Sequence, residues 1–123
     1  MPLEDMRDML NHAYQNNYAI GGFGLVSLDF LEAIIMTAEF CRSPVILNLS
    51  EPLFHQHDFG LIMPAVERAA HHAKVPVAIH FDHAKAHESI VQAINLGCNS
   101  VMLDVSSETF PVNITHKPAG SQK

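Results

Sequence analysis

The chain has 123 residues, 48% of them hydrophobic and 16% charged, which fits one globular domain and excludes a disordered chain. The formal net charge of −6, with only seven Lys and Arg, argues against nucleic acid or an anionic membrane surface as a partner. No apolar run approaches the roughly 20 residues of a membrane-spanning helix, and the first residues lack the pattern of a secretory signal, so we expect a cytoplasmic protein.

In chain order the sequence predicts helices and strands that alternate with short connections. The elements are a helix over residues 2–17, a strand over 18–23, a helix over 28–41, a strand over 45–49, a loop over 50–57, a helix over 58–74, a strand over 77–81, a helix over 86–96 and a strand over 100–103. The helices carry apolar residues at helical spacing, and the strands are short apolar runs next to glycine or proline. This alternation predicts an α/β fold with a parallel sheet.

Residues at the helix ends support these boundaries. Ser27 and Asp58 stand where N-caps are expected, and Gly97 stands where a C-cap is expected. Pro64 falls near the first turns of the third helix and leaves a break there open. The two cysteines, Cys41 and Cys98, lie in apolar, helix-like segments without CxxC spacing, so we expect reduced, buried thiols.

The end of the chain changes in character. The last strand should be followed by a helix, and residues 108–115 are those left to form it. Residues 116–123 are polar, contain Pro118 and Gly120 and show no periodicity, which predicts an unstructured tail. We therefore expect one folded unit over residues 1–115 and a divergent tail over 116–123.

The candidate functional motif lies at the end of the third strand, where an apolar run ends in His80, Asp82 and His83. Ligands and catalytic groups of parallel α/β proteins collect at the carboxyl ends of the strands. A neutral imidazole is a common zinc ligand, and a neighbouring carboxylate can transfer a proton to a substrate oxygen. Such a pair suits retro-aldol or related carbonyl chemistry. The alternative is a structural Asp–His pair that caps the next helix.

Other residues near the motif permit further hypotheses. By strand alternation His80 shares a face with Asp82, and an inner histidine with its hydrogen bonds satisfied is favoured there. His83 and His87 have the spacing of a helical zinc pair, but the predicted helix begins only near residue 86. Lys85 lies in a polar loop, where a solvated lysine is favoured over one that forms a Schiff base.

Two more strands end in polar residues on the same rim. Asp104 follows the fourth strand and Ser50 follows the second, so Asp104 is a candidate for a metal or substrate shell and Ser50 for a pocket contact. Turn or capping roles remain open for both. The stretch Gly21-Gly22-Phe23-Gly24 lacks the GxGxxG spacing of a dinucleotide site, and close backbone packing at a strand end explains it better.

The segment VPVAIHFDHA over residues 75–84, followed by GCNSVMLD over 97–104, resembles the class II, zinc-dependent fructose- and tagatose-bisphosphate aldolases. The similarity runs from residue 2 to about residue 115 and includes SPVIL over 43–47. It implies a partial (β/α)8 TIM barrel with about four βα units and an N-terminal helix. In the family the barrel is usually dimeric or larger, so the resemblance also implies a homo-oligomer.

The resemblance implies roles for four residues. Asp82 matches the acid/base that exchanges a proton with the oxygen at the cleaved bond, and His83 matches the first of three histidine zinc ligands. Asp104 matches an acidic residue near the metal, and Ser50 matches a residue that lines the substrate pocket. Gly24 stands where the family usually has Asn. The implied reaction is the reversible aldol cleavage of a ketose 1,6-bisphosphate, fructose or tagatose, to dihydroxyacetone phosphate and glyceraldehyde 3-phosphate, with Zn²⁺ as cofactor.

The family's other two histidine ligands, its glutamate base and its phosphate loops lie in its second half, which this chain does not match. One histidine cannot hold zinc in a closed tetrahedral site, so the resemblance implies that the chain alone is inactive. A sheet of four parallel strands also leaves two edges unpaired. Such a half-barrel could form a closed dimer, exchange segments with another chain or stay partly molten.

Two alternatives to an aldolase remain. A zinc hydrolase of the metallo-β-lactamase type carries HxHxDH, but Ala78 stands at the position of its first histidine. The strand–helix order here also differs from the sandwich of that class. The second alternative is a non-catalytic half-barrel, either a remnant or a partner subunit.

Overall fold

The computed structural model describes residues 3–107 and 109. Its elements in chain order are α1 (Met6–Gln15), β1 (Gly21–Gly24), α2 (Leu28–Cys41), β2 (Val45–Ser50), α3 (Glu51–Gln56), α4 (Phe59–His72), β3 (Val77–Ala84), α5 (His87–Asn95) and β4 (Ser100–Leu103). The helix expected over residues 108–115 and the tail expected over 116–123 lie outside the described residues, apart from Thr109. In the described part of the chain no helix is both long and apolar enough to cross a membrane.

The four strands form one parallel sheet in the order β1-β2-β3-β4. Each strand pairs with the next one along the chain, and each connection is helical, with two helices (α3 and α4) between β2 and β3 and one in each of the others. The register aligns Gly24 with Asn48, Asn48 with His80, and His80 with Ser100. The predicted α/β fold with a parallel sheet is therefore confirmed.

The two faces of the sheet differ in chemistry. On the outer face, Leu47 of β2 and Ile79 and Phe81 of β3 are fully buried beneath the helices, and each such side chain contributes about 1.5–3 kcal/mol by leaving water. On the inner face, Met9 of α1 packs against Ile46 and Ala78. Alternation along each strand places polar residues further along the same inner face, toward the carboxyl ends of the strands.

The amino-terminal helix begins later than predicted. Asp5 is its N-cap, and the Asp5 carboxylate accepts a hydrogen bond of 2.8 Å from the backbone N–H of Arg7. Leu3 forms a parallel bridge with Val77, and the N–H of Glu4 donates to the carbonyl of Val77 at 2.9 Å. Residues 3–5 therefore extend along the start of β3, and α1 covers the amino end of the inner face.

The loop predicted over residues 50–57 is wrong for most of its length, because α3 occupies Glu51–Gln56. Pro52 looks like a loop residue in the sequence, but it lies in the first turn of α3, where a helix tolerates proline. Phe54 is buried, and its ring centroid lies 5.1 Å from that of Phe81. Burial of Phe54 stabilises a helix too short to be stable by itself.

Two further expectations are settled by the helices. Pro64 lies inside the continuous helix α4, with no break. Cys41 is exposed at the end of α2, which corrects the prediction that both thiols are buried. Cys98 follows α5 and is buried, and this burial raises the pKa of its thiol to about 12.

Candidate active site

The polar residues at the carboxyl edge of the sheet come from three neighbouring strands. Ser50 ends β2 and lies in register with Asp82 of β3, while Asp104 directly follows β4. The strand β3 runs to Ala84, three residues beyond the predicted end at Phe81. Beyond His80, which the predicted strand already contained, β3 therefore includes Asp82 and His83, whose polarity conceals the end of the strand in the sequence.

A β-bulge places His83. Phe81 pairs with Val101 and Ala84 pairs with Leu103, so β3 carries one residue more than β4 over this interval. His83 has a φ of 50°, a left-handed conformation that costs a residue with a side chain about 1–3 kcal/mol. Bulges re-aim side chains at the ends of strands, and here the neighbouring Ala84 is buried while the His83 side chain is 62% exposed.

His83 and Asp104 form the shortest ion pair at this edge. The Nδ1 atom of His83 lies 3.0 Å from Oδ2 of Asp104. This hydrogen bond, together with the charge of Asp82, raises the pKa of His83 above its usual value. The hydroxyl of Ser106 donates to Oδ1 of Asp104 at 2.6 Å, and the Ser106 backbone N–H donates at 3.0 Å. These bonds and His83 hold the pKa of Asp104 well below its usual range.

Asp82 lies between two histidines. Its Oδ1 is 3.3 Å from Nε2 of His80, and its Oδ2 is 3.6 Å from Nε2 of His83. The other ring nitrogen of His80, Nδ1, lies 2.7 Å from the hydroxyl oxygen of Ser100. Both nitrogens of His80 therefore have partners, which confirms the predicted satisfied inner histidine on the face of Asp82.

The protonation of His80 follows from these contacts. Burial lowers the pKa of His80, and the neighbouring Asp82 offsets part of that effect. A neutral His80 that donates from Nε2 to the Asp82 carboxylate has a free Nδ1 lone pair, which can accept the Ser100 hydroxyl proton. The row Ser100–His80–Asp82 then forms a directed chain of hydrogen bonds that fixes the orientation of the carboxylate.

Asn48 and Ser100 flank His80 in the register of the sheet, and neither was predicted as a site residue from the sequence. Oδ1 of Asn48 is buried and has no hydrogen-bond partner among the described residues. A buried acceptor without a partner is costly, and such atoms are often found at functional positions. The signal for Asn48 was available, since it interrupts the apolar run of β2 at an inner position.

The alternative in which Asp82 and His83 cap the next helix does not match the contacts. The carboxylate of Glu51 accepts the backbone N–H groups of Lys85 and Ala86, at 2.9 and 3.1 Å. These are the groups directly before α5, whose N-cap is Ala86. Asp82 and His83 instead contact each other, His80 and Asp104.

The other candidates around the motif have separate places. His83 belongs to β3 whereas His87 begins α5, so the two do not share a helical face. Lys85 is exposed in the connection between them, as predicted.

In the glycine stretch, a Cβ on Gly21 would lie 2.7 Å from the ring of Phe23, and one on Gly22 would lie 2.9 Å from the amide of Asn48. Side chains, rather than the predicted backbone packing, crowd these two positions.

A metal site at this edge would need several ligand side chains that converge on one point. Within residues 3–107 and 109, no group of three or more His, Cys, Asp or Glu side chains has a geometry that could hold a metal ion. His83 presents one imidazole, whose Nδ1 already contacts Asp104. The described residues therefore do not fit a zinc ion by themselves.

Comparison with known proteins identifies relatives along almost the whole chain. The family described as "Fructose-bisphosphate aldolase class-II" matches residues 4–117. A relative from Bacillus subtilis, named "Probable fructose-bisphosphate aldolase", is 42% identical over 117 residues, which cover 93% of this chain and 41% of the relative. The fructose-bisphosphate aldolase of Staphylococcus aureus is 38% identical over the same shares of the two chains.

The fold has a close counterpart among solved structures. The YdjI aldolase from Escherichia coli K12 superimposes with a TM-score of 0.87 and 34% identity, over 92% of this chain and 44% of that one. The chain therefore spans about two fifths of the length of the relatives that it matches. Its four strands correspond to part of a TIM barrel.

Proposed function

Because the chain belongs to the class II fructose-bisphosphate aldolase family, we propose that its strand-end cluster is part of the catalytic centre of a carbon–carbon lyase. The proposed reaction is the reversible cleavage of a ketose 1,6-bisphosphate, fructose or tagatose, to dihydroxyacetone phosphate and glyceraldehyde 3-phosphate. The observation that carries the proposal is the convergence of Asp82, His83 and Asp104 at one edge of a parallel sheet, with contacts of 3.0 to 3.6 Å.

We assign proton transfer to Asp82. Retro-aldol cleavage requires removal of the proton from the hydroxyl beside the bond that breaks, and the same group returns a proton in the reverse direction. The Asp82 side chain is 29% exposed, so a substrate hydroxyl can reach it. The contact with His80 holds the carboxylate in one orientation, which lowers the entropic cost of reaching a reactive geometry with the substrate.

We propose that His83 is one ligand of a zinc ion whose remaining ligands come from outside residues 3–107 and 109. A zinc ion held in this way would supply Lewis-acid polarisation of the substrate carbonyl. The contact between Nδ1 of His83 and Asp104 leaves Nε2 as the nitrogen for the metal, an arrangement in which a carboxylate orients a histidine ligand. Asp104 then serves the metal through His83, because both of its oxygens already have partners.

Ser50 is proposed as a contact of the sugar phosphate. It stands at the N-cap of α3, yet its side chain makes no capping hydrogen bond, so its hydroxyl is available to a ligand. Its register with Asp82 places the two residues side by side at the rim. The proposed partners are thus a small sugar phosphate and a second copy of the chain. The proposed setting is the cytoplasm, which the two free cysteines support.

The proposal includes inactivity of the 123-residue chain alone, because the described residues offer no group of three metal ligands. The test is release of dihydroxyacetone phosphate from either bisphosphate by the purified chain supplied with zinc. We expect no release above that of a protein-free control. Release that is abolished by EDTA and by Asp82→Ala would overturn the inactive part of the proposal.

The lack of a group of three metal ligands among the described residues also favours a second candidate. This candidate is a non-catalytic half-barrel that acts as a remnant or partner subunit. Zinc stoichiometry separates the two candidates. In the experiment, this chain replaces the matching part of the S. aureus relative. If the chain is the half of an aldolase, the chimaera should bind a zinc ion, and His83→Ala should abolish that binding. A half-barrel remnant should bind no zinc in that chimaera, with or without the substitution.

A further inference from the structure

Glu51 lies where β2 passes into α3, and its carboxylate reaches the end of the neighbouring strand. One oxygen, Oε2, accepts the backbone N–H of Lys85 at 2.9 Å and that of Ala86 at 3.1 Å. Because β3 ends at Ala84 and α5 begins at His87, these two residues form the whole connection between strand and helix. Both N–H groups of this connection therefore bind one carboxylate from a distant part of the sequence.

The placement of Glu51 follows from the packing of α3. Glu51 begins this helix, and Phe54 lies three residues later, so the two side chains share one face. Phe54 is buried, and its ring centroid lies 5.1 Å from that of Phe81 on β3. This contact turns the shared face of α3, and with it the Glu51 carboxylate, toward the end of β3.

The connection that Glu51 holds lies next to a residue with an unfavourable backbone conformation. His83 has a φ of 50°, and a left-handed residue with a side chain persists only where surrounding contacts fix it. On one side of the segment, the N–H of Asp104 donates to the carbonyl of Ala84 at 2.7 Å. On the other side, the contacts of Glu51 begin one residue later, at Lys85. The segment directly after His83 is therefore held between the end of β4 and the start of α3.

We propose that Glu51 is a positioning residue for His83. By fixing the connection after β3, its carboxylate keeps His83 in the left-handed conformation, with the Nδ1 atom 3.0 Å from Oδ2 of Asp104. Without the two hydrogen bonds from the connection, the segment after Ala84 can relax, and the imidazole can turn away from Asp104. The inference deepens the proposed function, and its consequence for the reaction rests on that function.

Two substitutions separate the contact of Glu51 from its charge. Glu51→Gln removes the charge but keeps an oxygen that can accept the N–H groups. Glu51→Asp keeps the charge at the start of α3, where the helix dipole favours it, but withdraws the carboxylate by about 1.5 Å, beyond hydrogen-bond range. The matched control is Glu88→Asp, which makes the same change at an exposed carboxylate in the first turn of α5.

The first measurement is amide hydrogen exchange at Lys85 and Ala86 in the 123-residue chain, followed by NMR. Both residues are exposed, so we expect the hydrogen bonds to Glu51 to slow the exchange of their N–H groups. Glu51→Asp should speed this exchange by about tenfold or more, whereas Glu51→Gln and Glu88→Asp should change it by less than about threefold. Unchanged exchange in Glu51→Asp would overturn the contact on which the proposal rests.

The second measurement reports on the His83 ring and not on the stability of the fold. At about pH 9, above the ordinary histidine pKa of about 6.5, the imidazole is neutral, and its hydrogen bond to Asp104 selects the tautomer with the proton on Nδ1. The nitrogen-15 chemical shifts of the ring distinguish the two tautomers. The unmodified chain and Glu51→Gln should show the Nδ1–H form, and Glu51→Asp should shift the population toward the Nε2–H form.

Two results of this measurement would overturn the proposal. Faster amide exchange in Glu51→Asp with unchanged ring shifts would mean that Glu51 holds the connection without positioning His83. A proton on Nε2 of His83 in the unmodified chain would mean that the imidazole does not donate to Asp104.

The consequence for the reaction is measured in the chimaera in which this chain replaces the matching part of the S. aureus relative. A displaced His83 affects bond cleavage more than binding of the sugar phosphate. Glu51→Asp should therefore lower kcat by about tenfold or more and change KM by less than about threefold, and Glu51→Gln should keep kcat within about threefold. Equal kcat values for Glu51→Asp and an active unmodified chimaera would overturn the inference. An inactive unmodified chimaera would count against the proposed function instead, and the ring shifts would then decide the role of Glu51.

Discussion

The imidazole of His83 and the carboxylate of Asp104 meet at 3.0 Å, although the two residues are 21 positions apart in the sequence. A bulge at the end of β3 and the turn after β4 bring them together. Because Ser106 holds the other oxygen of Asp104, the carboxylate has a fixed position behind the imidazole. His83 is thus oriented by its neighbours before any ligand binds.

Removal of the Asp104 charge should change the titration of His83. The hydrogen bond with Asp104 is the largest cause of the raised His83 pKa, so Asp104→Asn should lower that pKa toward its usual value. The measurement is an NMR titration of the His83 ring protons. Asp29→Asn in α2 is the matched control and should leave the His83 titration unchanged. A His83 pKa that is the same in Asp104→Asn and in the unmodified chain would contradict the assigned contact.

The same pair predicts a pH window for stability. The pKa of His83 is raised by folding, so its contribution is complete below about 6.5 and is lost as pH rises through the folded value. The pKa of Asp104 is lowered by folding, so its contribution is present above about 3.9 and is lost as pH falls through the folded value. Their joint contribution is therefore largest between about pH 4 and pH 6.5.

Urea unfolding at fixed protein concentration across pH 4 to 8, taken as roughly the range of both titrations, checks this window. The difference in unfolding free energy between the unmodified chain and Asp104→Asn should be greatest inside the window and should shrink above it. A difference that is constant with pH would show that Asp104 acts through packing and not through its charge.

The buried His80 should affect the pH dependence of stability in the direction opposite to His83. Burial lowers the pKa of His80, so the unfolded chain takes up a proton below about pH 6.5 that the folded chain resists. His80 therefore costs stability as pH falls. His80→Gln should make unfolding less sensitive to acid between about pH 7 and pH 5, and His57→Gln, at an exposed position, should not. Equal acid sensitivity of the two variants would disprove the effect.

The outer core makes the largest predicted contribution to stability. Phe81 is fully buried and contacts the ring of Phe54, so Phe81→Ala should lower the free energy of unfolding by about 3–5 kcal/mol. Phe40 is 89% exposed, and Phe40→Ala should change that free energy by less than about 0.5 kcal/mol. Chemical denaturation of the two variants tests the pair. Similar losses would mean that the sheet does not pack as described.

Gly97 and Gly24 should respond differently to substitution by alanine, because their backbone conformations and surroundings differ. Gly97 has a φ of 120°, and a Cβ there would lie 2.5 Å from the side chain of Glu67, so Gly97→Ala should cost about 1–3 kcal/mol. Gly24 has open space at its Cβ position, and Gly24→Ala should be neutral or stabilise by up to about 1 kcal/mol. Thermal unfolding of both variants at one concentration checks the difference. A stable Gly97→Ala chain would contradict the conformation of that turn.

Local patterns predicted most of the fold because they carry strong physical signals. The strand at Ser100–Leu103 and the helix at Leu28–Cys41 have the predicted bounds, since apolar periodicity and the cap at Ser27 define them. The short helix α3 was missed because Pro52 resembles a loop residue, and because the burial of Phe54 against Phe81 depends on residues distant in the sequence.

The strand-end motif was visible as a cluster of residue types, but its contacts were not. The hydrogen bond between His80 and Ser100 depends on the register of β3 and β4, which a single sequence does not specify. The position of His83 depends on a bulge, and bulges have no reliable local pattern when the residue is not glycine. Asn48 could have been predicted from strand alternation, whereas the support of Asp104 by Ser106 required the turn after β4.

The catalytic rate of a chimaera tests the central claim most directly. In it, this chain replaces the matching 41% of the S. aureus fructose-bisphosphate aldolase, and release of dihydroxyacetone phosphate from fructose 1,6-bisphosphate is measured. We predict that the chimaera is active, that Asp82→Asn lowers kcat by about 100-fold or more, and that Lys85→Ala changes it by less than about threefold. A folded, zinc-loaded chimaera that keeps its rate with Asp82→Asn would contradict the account.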